Sequence, residues 1–506
     1  MLLYLFLVIY FLVLITVFTY ASHRYYMVYL YYRNQKNRPV LKNRLQSLPR
    51  VTVQLPIYNE LYVVRRLIAA SCSIDYPREL LDIQVLDDST DETAQTAREC
   101  VKEFRDKGYD ISYIHREKRE GFKSGALAHG LKSAKGEYIA VFDADFVPQS
   151  DILQKTIHYF SDRSVGMVQT RWTYLNRDYS LLTRIQAIML DGHFVIEHTA
   201  RNWSGRFFNF NGTAGVWRKE AIETAGGWQH DTLTEDLDLS YRSQLKGWKF
   251  IFLKDETAPS EIPVDINAFK SQQNRWAKGS IQTAKKLIVP ILKSDLPLKV
   301  KVEAFFHLTN NISYLLMLLL SLLMYPSMVA RINIGWFQMI VTDVPFLLVA
   351  TTGISFFYLC SQKEIYKDWR SRLLYMPMLM SLGIGLSVNN SKAVLEALFN
   401  KETEFKRTPK YMIEKKKDGW LGKKYQGEIN SLVLFELFLG VYFTFNIYFA
   451  YINKIYVSIP FLMIFQIGFF YVAFLSIYQV ILKTIFSNRF LRHLFSKRNA
   501  EDVMAA

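Results

Sequence analysis

The sequence predicts an α/β domain, built on a mainly parallel sheet, set between membrane-spanning helices. Three observations carry this reading. From Arg50 to about Lys286, short β-branched runs alternate with amphipathic helical stretches. The acidic clusters in that stretch fall where expected strands end. Long apolar runs flank the region on both sides, with Lys and Arg gathered just beyond them. Composition agrees: of 506 residues, 50% are hydrophobic and 15% aromatic, and 62 Lys and Arg against 46 Asp and Glu leave a net charge of +16. That is too apolar and too basic for one ordinary soluble domain, and it excludes disorder. Cys72, Cys100 and Cys360 lie far apart, so neither a disulfide framework nor a four-thiol zinc site is available.

Residues 1–20 form an apolar run close to the ~20 residues that span a bilayer. Arg24 is the first charge, and Arg33, Lys36 and Arg38 follow the run, which predicts a retained signal anchor with its N-terminus outside. Further apolar stretches cover residues 305–330, 336–360, 373–388, 432–452 and 457–482. Residues 392–424 carry ten Lys and Arg and should be cytoplasmic. They can be so only if 373–388 does not cross but lies in the interface or re-enters. Five spans result, with the tail bases Arg489, Arg492, Lys497 and Arg498 returned inside. The positive charge is thereby assigned to topology and anionic lipid, with no nucleic-acid partner. Residues after Leu482 number about two dozen, too few for a folded regulatory module.

Within the central block, residues 51–56 form a strand, followed by Asn59-Glu60 and a helix through Leu67, Ile68 and Ala70. Residues 81–86 form a second strand, ending in Asp87-Asp88-Ser89 and leading to a helix through Thr93, Ala97 and Val101. A later strand, 138–142, ends in Asp143-Ala144-Asp145. Parallel sheets collect ligands at the carboxyl ends of their strands. Carboxylates at i and i+2 on extended backbone point the same way and can share one hard divalent cation, leaving positions for substrate phosphates. An isolated Asp-x-Asp is usually a solvated turn, so the reading depends on further motifs. One is Thr234-Glu235-Asp236, just before an expected helix through Leu237, Tyr241 and Leu245, where Thr234 or Asp236 could also serve only as a cap. Another is Gln272-Gln273-Asn274-Arg275-Trp276, which places a guanidinium able to grip a diphosphate beside an indole face suited to a sugar ring. The same residues would also suit an amphipathic stripe on the membrane surface.

In this order, Asp87-Asp88, Asp143-x-Asp145, Thr234-Glu235-Asp236 and Gln-Gln-x-Arg-Trp resemble the signature of inverting family 2 glycosyltransferases with a GT-A fold, in particular processive membrane polysaccharide synthases. The segments 84–91, 142–146, 210–215 and 226–228 look most like the cellulose-synthase-like mannan and glucan synthases, the plant A and C types and their bacterial relatives. The resemblance covers roughly residues 51–410. Cellulose synthases often carry His directly after the metal-binding acid; Phe146 stands there, which points away from cellulose itself. Residues 405–410 are similar to the Phe-x-Val-Thr-x-Lys gating loop that closes over the nucleotide, with Arg407 in the Val position.

The resemblance implies inverting transfer of a hexose from GDP-mannose or UDP-glucose onto a β-linked polysaccharide, coupled to translocation. Asp236 would be the general base, with Glu235 and Asp145 also catalytic. Asp87, Asp88, Lys123, Asp143, Arg275, Thr408 and Lys410 would bind the donor, and Asp143 and Asp145 would hold Mg2+ or Mn2+. Trp276, Gln272 and Asn211 would bind the acceptor. Asn211 begins an Asn-Gly-Thr sequon, which a cytoplasmic domain would leave unglycosylated. The implied layout is a transmembrane helix at 1–30, a cytoplasmic GT-A domain at 48–290, a hairpin at 303–360, an interfacial helix and gating loop at 373–428, a second hairpin at 430–485 and a cytoplasmic tail at 486–506. The membrane would be the plasma (inner) membrane if bacterial and the Golgi if eukaryotic. His307, Asn310 and Asn311, and Glu436 and Asn446, are expected inside spans, facing a cavity that would support translocation or a partner, unless His307 and Glu436, near cytoplasmic ends, simply sit at the interface. Two other readings compete: transfer of a single sugar to a glycolipid acceptor, as ceramide glucosyltransferases do, and a transporter with a nucleotide-binding regulatory domain.

Overall fold

The computed structural model describes residues 2–332, 336–402, 407–425 and 427–487. The four tail bases, and Phe405 and Lys406 of the loop motif, lie outside the described residues. Seven strands form one sheet: β1 (Val51–Ile57), β2 (Leu81–Asp87), β3 (Ile111–His115), β4 (Tyr138–Val141), β5 (Val165–Tyr174), β6 (Gly215–Arg218) and β7 (Lys249–Ser260). Their order is β3-β2-β1-β4-β6-β5-β7, and β6 alone runs antiparallel to its neighbours. Both faces are covered, so β1, β2 and β4 are buried along their whole lengths.

On one face Val51, Val53 and Leu55 pack with Leu67, Ile68, Ala97 and Val101 of helices Val64–Cys72 and Thr93–Asp106. On the other, Ile139, Val141 and Trp217 pack with Leu127 and Ile222 of helices Phe122–Ser133 and Lys219–Thr224. Polar strand residues that point into this second layer satisfy one another: Thr52 donates to Asp82 at 2.8 Å and Gln54 to Gln84 at 3.0 Å. In-register pairing from Val51↔Leu81 to Ile57↔Asp87 ends β1 and β2 at the same level. The acidic loops therefore open on one edge of the sheet.

Among the described residues, five helices have the length and apolarity to cross a membrane: Leu5–Arg33, Ile312–Arg331, Pro345–Ile365, Leu432–Ile452 and Tyr456–Phe486. Residues 373–388, expected to lie in the interface or re-enter, fall on the helix pair Trp369–Gly385 and Ser387–Leu398, bent by 40° as a broken span or a re-entrant loop would be.

One expectation about polar span residues needs correction. Residues 305–330 are not one helix, because the chain breaks at Asn310–Asn311 between helices Leu298–Thr309 and Ile312–Arg331. His307 therefore precedes the span, and its Nδ1 lies 2.7 Å from the Tyr241 hydroxyl of the α/β domain. Glu436, in a candidate span, meets a partner as expected: it is fully buried in an ion pair with Lys270 at 2.6 Å. Removing one partner of such a pair costs about 3–5 kcal/mol, so it fastens the Ile266–Lys293 helix to the membrane helices.

Candidate active site

One cavity opens at the strand ends, and among its walls are Asp88, Lys123, Asp143, Asp145, Asn211, Glu235, Asp236, Gln272, Arg275, Trp276, Thr408 and Lys410. Thus every expected site residue except Asp87 lines it. Asp87 is buried behind the wall, accepting from the Ser89 backbone at 2.9 Å and the Tyr113 hydroxyl at 2.7 Å. Asp88, on the wall itself, is gripped by Arg116 with two nitrogens, at 2.8 and 2.5 Å.

Glu235 and Asp236 do not precede a helix; they form the first turn of helix Glu235–Leu245. Thr234 makes no side-chain cap, and Asp236 accepts from the adjacent Leu237 N–H at 2.8 Å. Two glycines allow the close approach this site requires. A Cβ on Gly279 would stand 2.8 Å from the Thr234 backbone nitrogen, so the Ile266–Lys293 helix lies directly against the Thr-Glu-Asp turn. Gly212 has φ +80°, and a Cβ there would reach within 3.0 Å of Asp236 Oδ2.

The acids differ in their partners. Asp143 meets the Lys123 ammonium at 2.5 Å, and Lys123 also donates to the Gly212 carbonyl at 2.8 Å. Asp145 meets Lys410 at 2.8 Å. Asp236 is instead pushed up to about 7, first by burial and then by the neighbouring Glu235 carboxylate, with Lys123 opposing. Glu235 is raised as well, by burial against the pull of Lys123. A carboxyl held near neutrality in its pKa can take a proton at physiological pH.

Among the described residues no group of three or more His, Cys, Asp or Glu side chains is arranged to hold a metal ion. The donors that are present, Asp143 and Asp145, are hard oxygens of the type that bind Mg2+ or Mn2+ together with substrate phosphates rather than in an all-protein cage. The residues therefore fit such an ion.

Several cavity residues were missed by sequence reasoning. Arg407, a mismatch to the loop pattern, pairs with Glu60 at 2.9 Å and lies 4.1 Å from the centre of the Tyr425 ring. Burial, opposed by Arg407, pushes Glu60 up to about 7. The only hint was Asn59-Glu60 directly after a strand. The segment 407–425 straps across the domain: Tyr411 N–H donates to Glu261 at 2.8 Å, Arg66 pairs with Glu414 at 2.8 Å, and Lys424 and Tyr425 bond to Glu92 and Asp91. Thr408 Oγ1 is buried on the cavity wall with no hydrogen-bond partner among the described residues, as a hydroxyl awaiting a ligand oxygen would be. His193 and His198, which flank Asn211, gave no sequence signal at all.

With the sheet, the acid-lined edge and the Gln-Gln-x-Arg-Trp helix in place, residues 49–279 match the family described as "Glycosyltransferase like family 2". The matched segment carries the GT-A-like, mostly parallel sheet, and candidate membrane helices flank it. Among curated proteins, "Probable glucomannan 4-beta-mannosyltransferase 11" of Oryza sativa subsp. japonica is 45% identical over 254 residues, 49% of this chain and 44% of that one. "Probable glucomannan 4-beta-mannosyltransferase 15" of Arabidopsis thaliana is 38% identical over 330 residues, 62% and 61% of the two chains. The chain spans about half the length of the curated relatives it matches. Among solved structures, the mannosyltransferase PcManGT from Pyrobaculum calidifontis, in complex with GDP-Man and Mn2+, aligns over 77% of this chain and 100% of its own, with a TM-score of 0.50 and 20% identity. That likeness is one of fold.

Proposed function

We propose that this protein is a multi-pass membrane hexosyltransferase that moves a hexose from a nucleotide sugar onto a growing β-linked polysaccharide, with inversion, and passes the chain across the membrane. The observation that carries the reading is the single cavity in which Asp236, held near neutrality, faces Asp143, Asp145, Lys123 and Arg275 with Trp276 on the adjoining wall. Of the two donors, GDP-mannose is favoured because the similar curated chains are named mannosyltransferases; UDP-glucose is the alternative. The α/β domain faces the cytoplasm, as the basic residues flanking the spans require, in the plasma (inner) membrane of a bacterium or the Golgi of a eukaryote.

Asp236 accepts the proton of the acceptor hydroxyl as its oxygen attacks the anomeric carbon from the face opposite the leaving diphosphate. Glu235, beside it, keeps the Asp236 pKa high enough for that role. Lys123, Arg275, Thr408 and Lys410 surround the diphosphate with donors, and Asp88 faces the nucleoside. Mg2+ or Mn2+, held by Asp143 and Asp145, would supply neutralising charge to the departing diphosphate. Trp276 stacks on the acceptor sugar, and Gln272 and Asn211 bond to its hydroxyls. The strap over the cavity, carrying Thr408 and Lys410, excludes water from the donor.

Membranes containing the protein, given radiolabelled GDP-mannose or UDP-glucose with Mn2+, test this directly. The expected product is a high-molecular-weight polymer cleaved by a β-mannanase. A single organic-extractable glycolipid would replace polymerisation with one-step transfer, and no transfer from either donor would refute the reading.

A further inference from the structure

Asn211 is held on three sides. Its backbone N–H donates to Gln169 Oε1 at 3.1 Å, and its side-chain amide lies between two imidazoles. Asn211 Oδ1 is 2.6 Å from His198 Nε2, and Asn211 Nδ2 is 3.0 Å from His193 Nε2. Chemistry at the far side of each ring fixes where the protons are. His198 Nε2 faces two oxygen acceptors, Asn211 Oδ1 and the Asn209 carbonyl at 3.1 Å, so it carries the hydrogen. His198 Nδ1 is buried with no hydrogen-bond partner among the described residues, as suits the bare nitrogen of a neutral ring. His193 Nδ1 lies 2.9 Å from the Glu197 carboxylate, which only accepts, so Nδ1 carries the hydrogen and Nε2 is left bare. Burial, reinforced by Arg201, pushes His198 down to about 3; burial and then His198 depress His193. Both rings are therefore neutral. A flipped Asn211 amide would set oxygen against a lone pair and N–H against N–H, so only one orientation survives.

The local backbone makes this clamp possible. Gly192–His198 is a π-helical segment. In an α-helix, residues five apart differ by about 140° around the axis, at ~100° per residue, and could not grip one amide. The wider π turn brings i and i+5 close to one face, and the two ring centres lie 4.2 Å apart. Behind the clamp runs a row of alternating charges. Glu197 is paired with Arg24 of the first membrane helix and with Arg201 at 3.5 Å; Arg201 pairs with Glu303 at 3.0 Å, and Glu303 with His23 at 2.9 Å.

We propose that His193 and His198 are positioning residues for Asn211: they lock its amide so that the second Nδ2 hydrogen points into the cavity beside Asp236, where it donates to an oxygen of the acceptor hexose. Glu197, anchored by Arg24 and Arg201, holds His193 in turn, which ties acceptor recognition to the first membrane helix. The inference rests on the hexosyl-transfer reading above and names a determinant of its acceptor side.

The test uses the full-length protein in membranes, GDP-mannose as donor and a soluble β-linked mannooligosaccharide as primer. His193→Ala should raise the primer KM about tenfold while the donor KM stays within about twofold. His193→Gln, which can return an acceptor to the Nε2 position, should recover most of the loss. Asn211→Ala should show the same primer defect, and adding His193→Ala to it should cost nothing more. Equal loss in donor and primer KM, or additive effects of the two substitutions, would reduce the histidines to packing and overturn the proposal. Should His193→Ala not fold, Asn211→Ala decides alone: an unchanged primer KM contradicts it. A wild-type protein that transfers nothing would instead sink the parent reading, and this one with it.

Discussion

Two acidic edges line one cavity, both built of carboxylates but in different surroundings. At the strand ends, Asp143 and Asp145 each meet a lysine ammonium, at 2.5 and 2.8 Å. At the helix start, Glu235 and Asp236 are buried side by side, and burial followed by the Glu235 charge lifts Asp236 to about 7. An N-terminal helical turn ordinarily favours the ionised carboxylate, so here desolvation outweighs the helix dipole. Environment, not residue type, separates an edge suited to binding charge from one suited to taking a proton.

The largest effect that would break this comparison belongs to Asp236→Asn, which should lower the transfer rate by about 10²–10⁴-fold in the radiolabel assay. Next, Asp145→Asn should raise the Mn2+ concentration for half-maximal rate by about 10–100-fold, read from a metal titration at fixed donor. A pH profile sharpens the other edge. Asp236 must be deprotonated to act, so kcat/KM should fall as pH drops below about 7. Glu235→Gln removes a charge that raises the Asp236 pKa and should move this limb to lower pH. A limb that stays in place would show that Glu235 does not tune Asp236. The smallest effect is expected of Arg407→Val, which breaks the pair with Glu60: donor KM should rise a few-fold, and cleavage of the 407–425 strap in limited proteolysis should quicken.

Much of the fold was legible because its signals are local. β-Branched runs marked β1, β2 and β4, and hydropathy with charge bias marked five candidate spans. The site was legible as motifs because strand ends and two helices, Glu235–Leu245 and Ile266–Lys293, carry most of it. What escaped was whatever depends on meeting a distant partner. Glu436 reads from sequence as a polar residue in a span, and only folding supplies Lys270, 166 positions away. The break at Asn310–Asn311 is invisible to a hydropathy window that averages across it. Arg407 looked like a mismatch until Glu60 and Tyr425 were brought to it. The π segment at Gly192–His198 has no periodic signature of its own, so the two histidines that hold Asn211 could not be found from spacing.

The central claim is that binding and proton transfer are divided between the two edges. Calorimetric titration of GDP-mannose with Mn2+ into wild type and Asp236→Asn, beside their transfer rates, tests it most directly. The account predicts equal donor affinity in a variant that no longer transfers. An Asp236→Asn protein that turns over at the wild-type rate would contradict it.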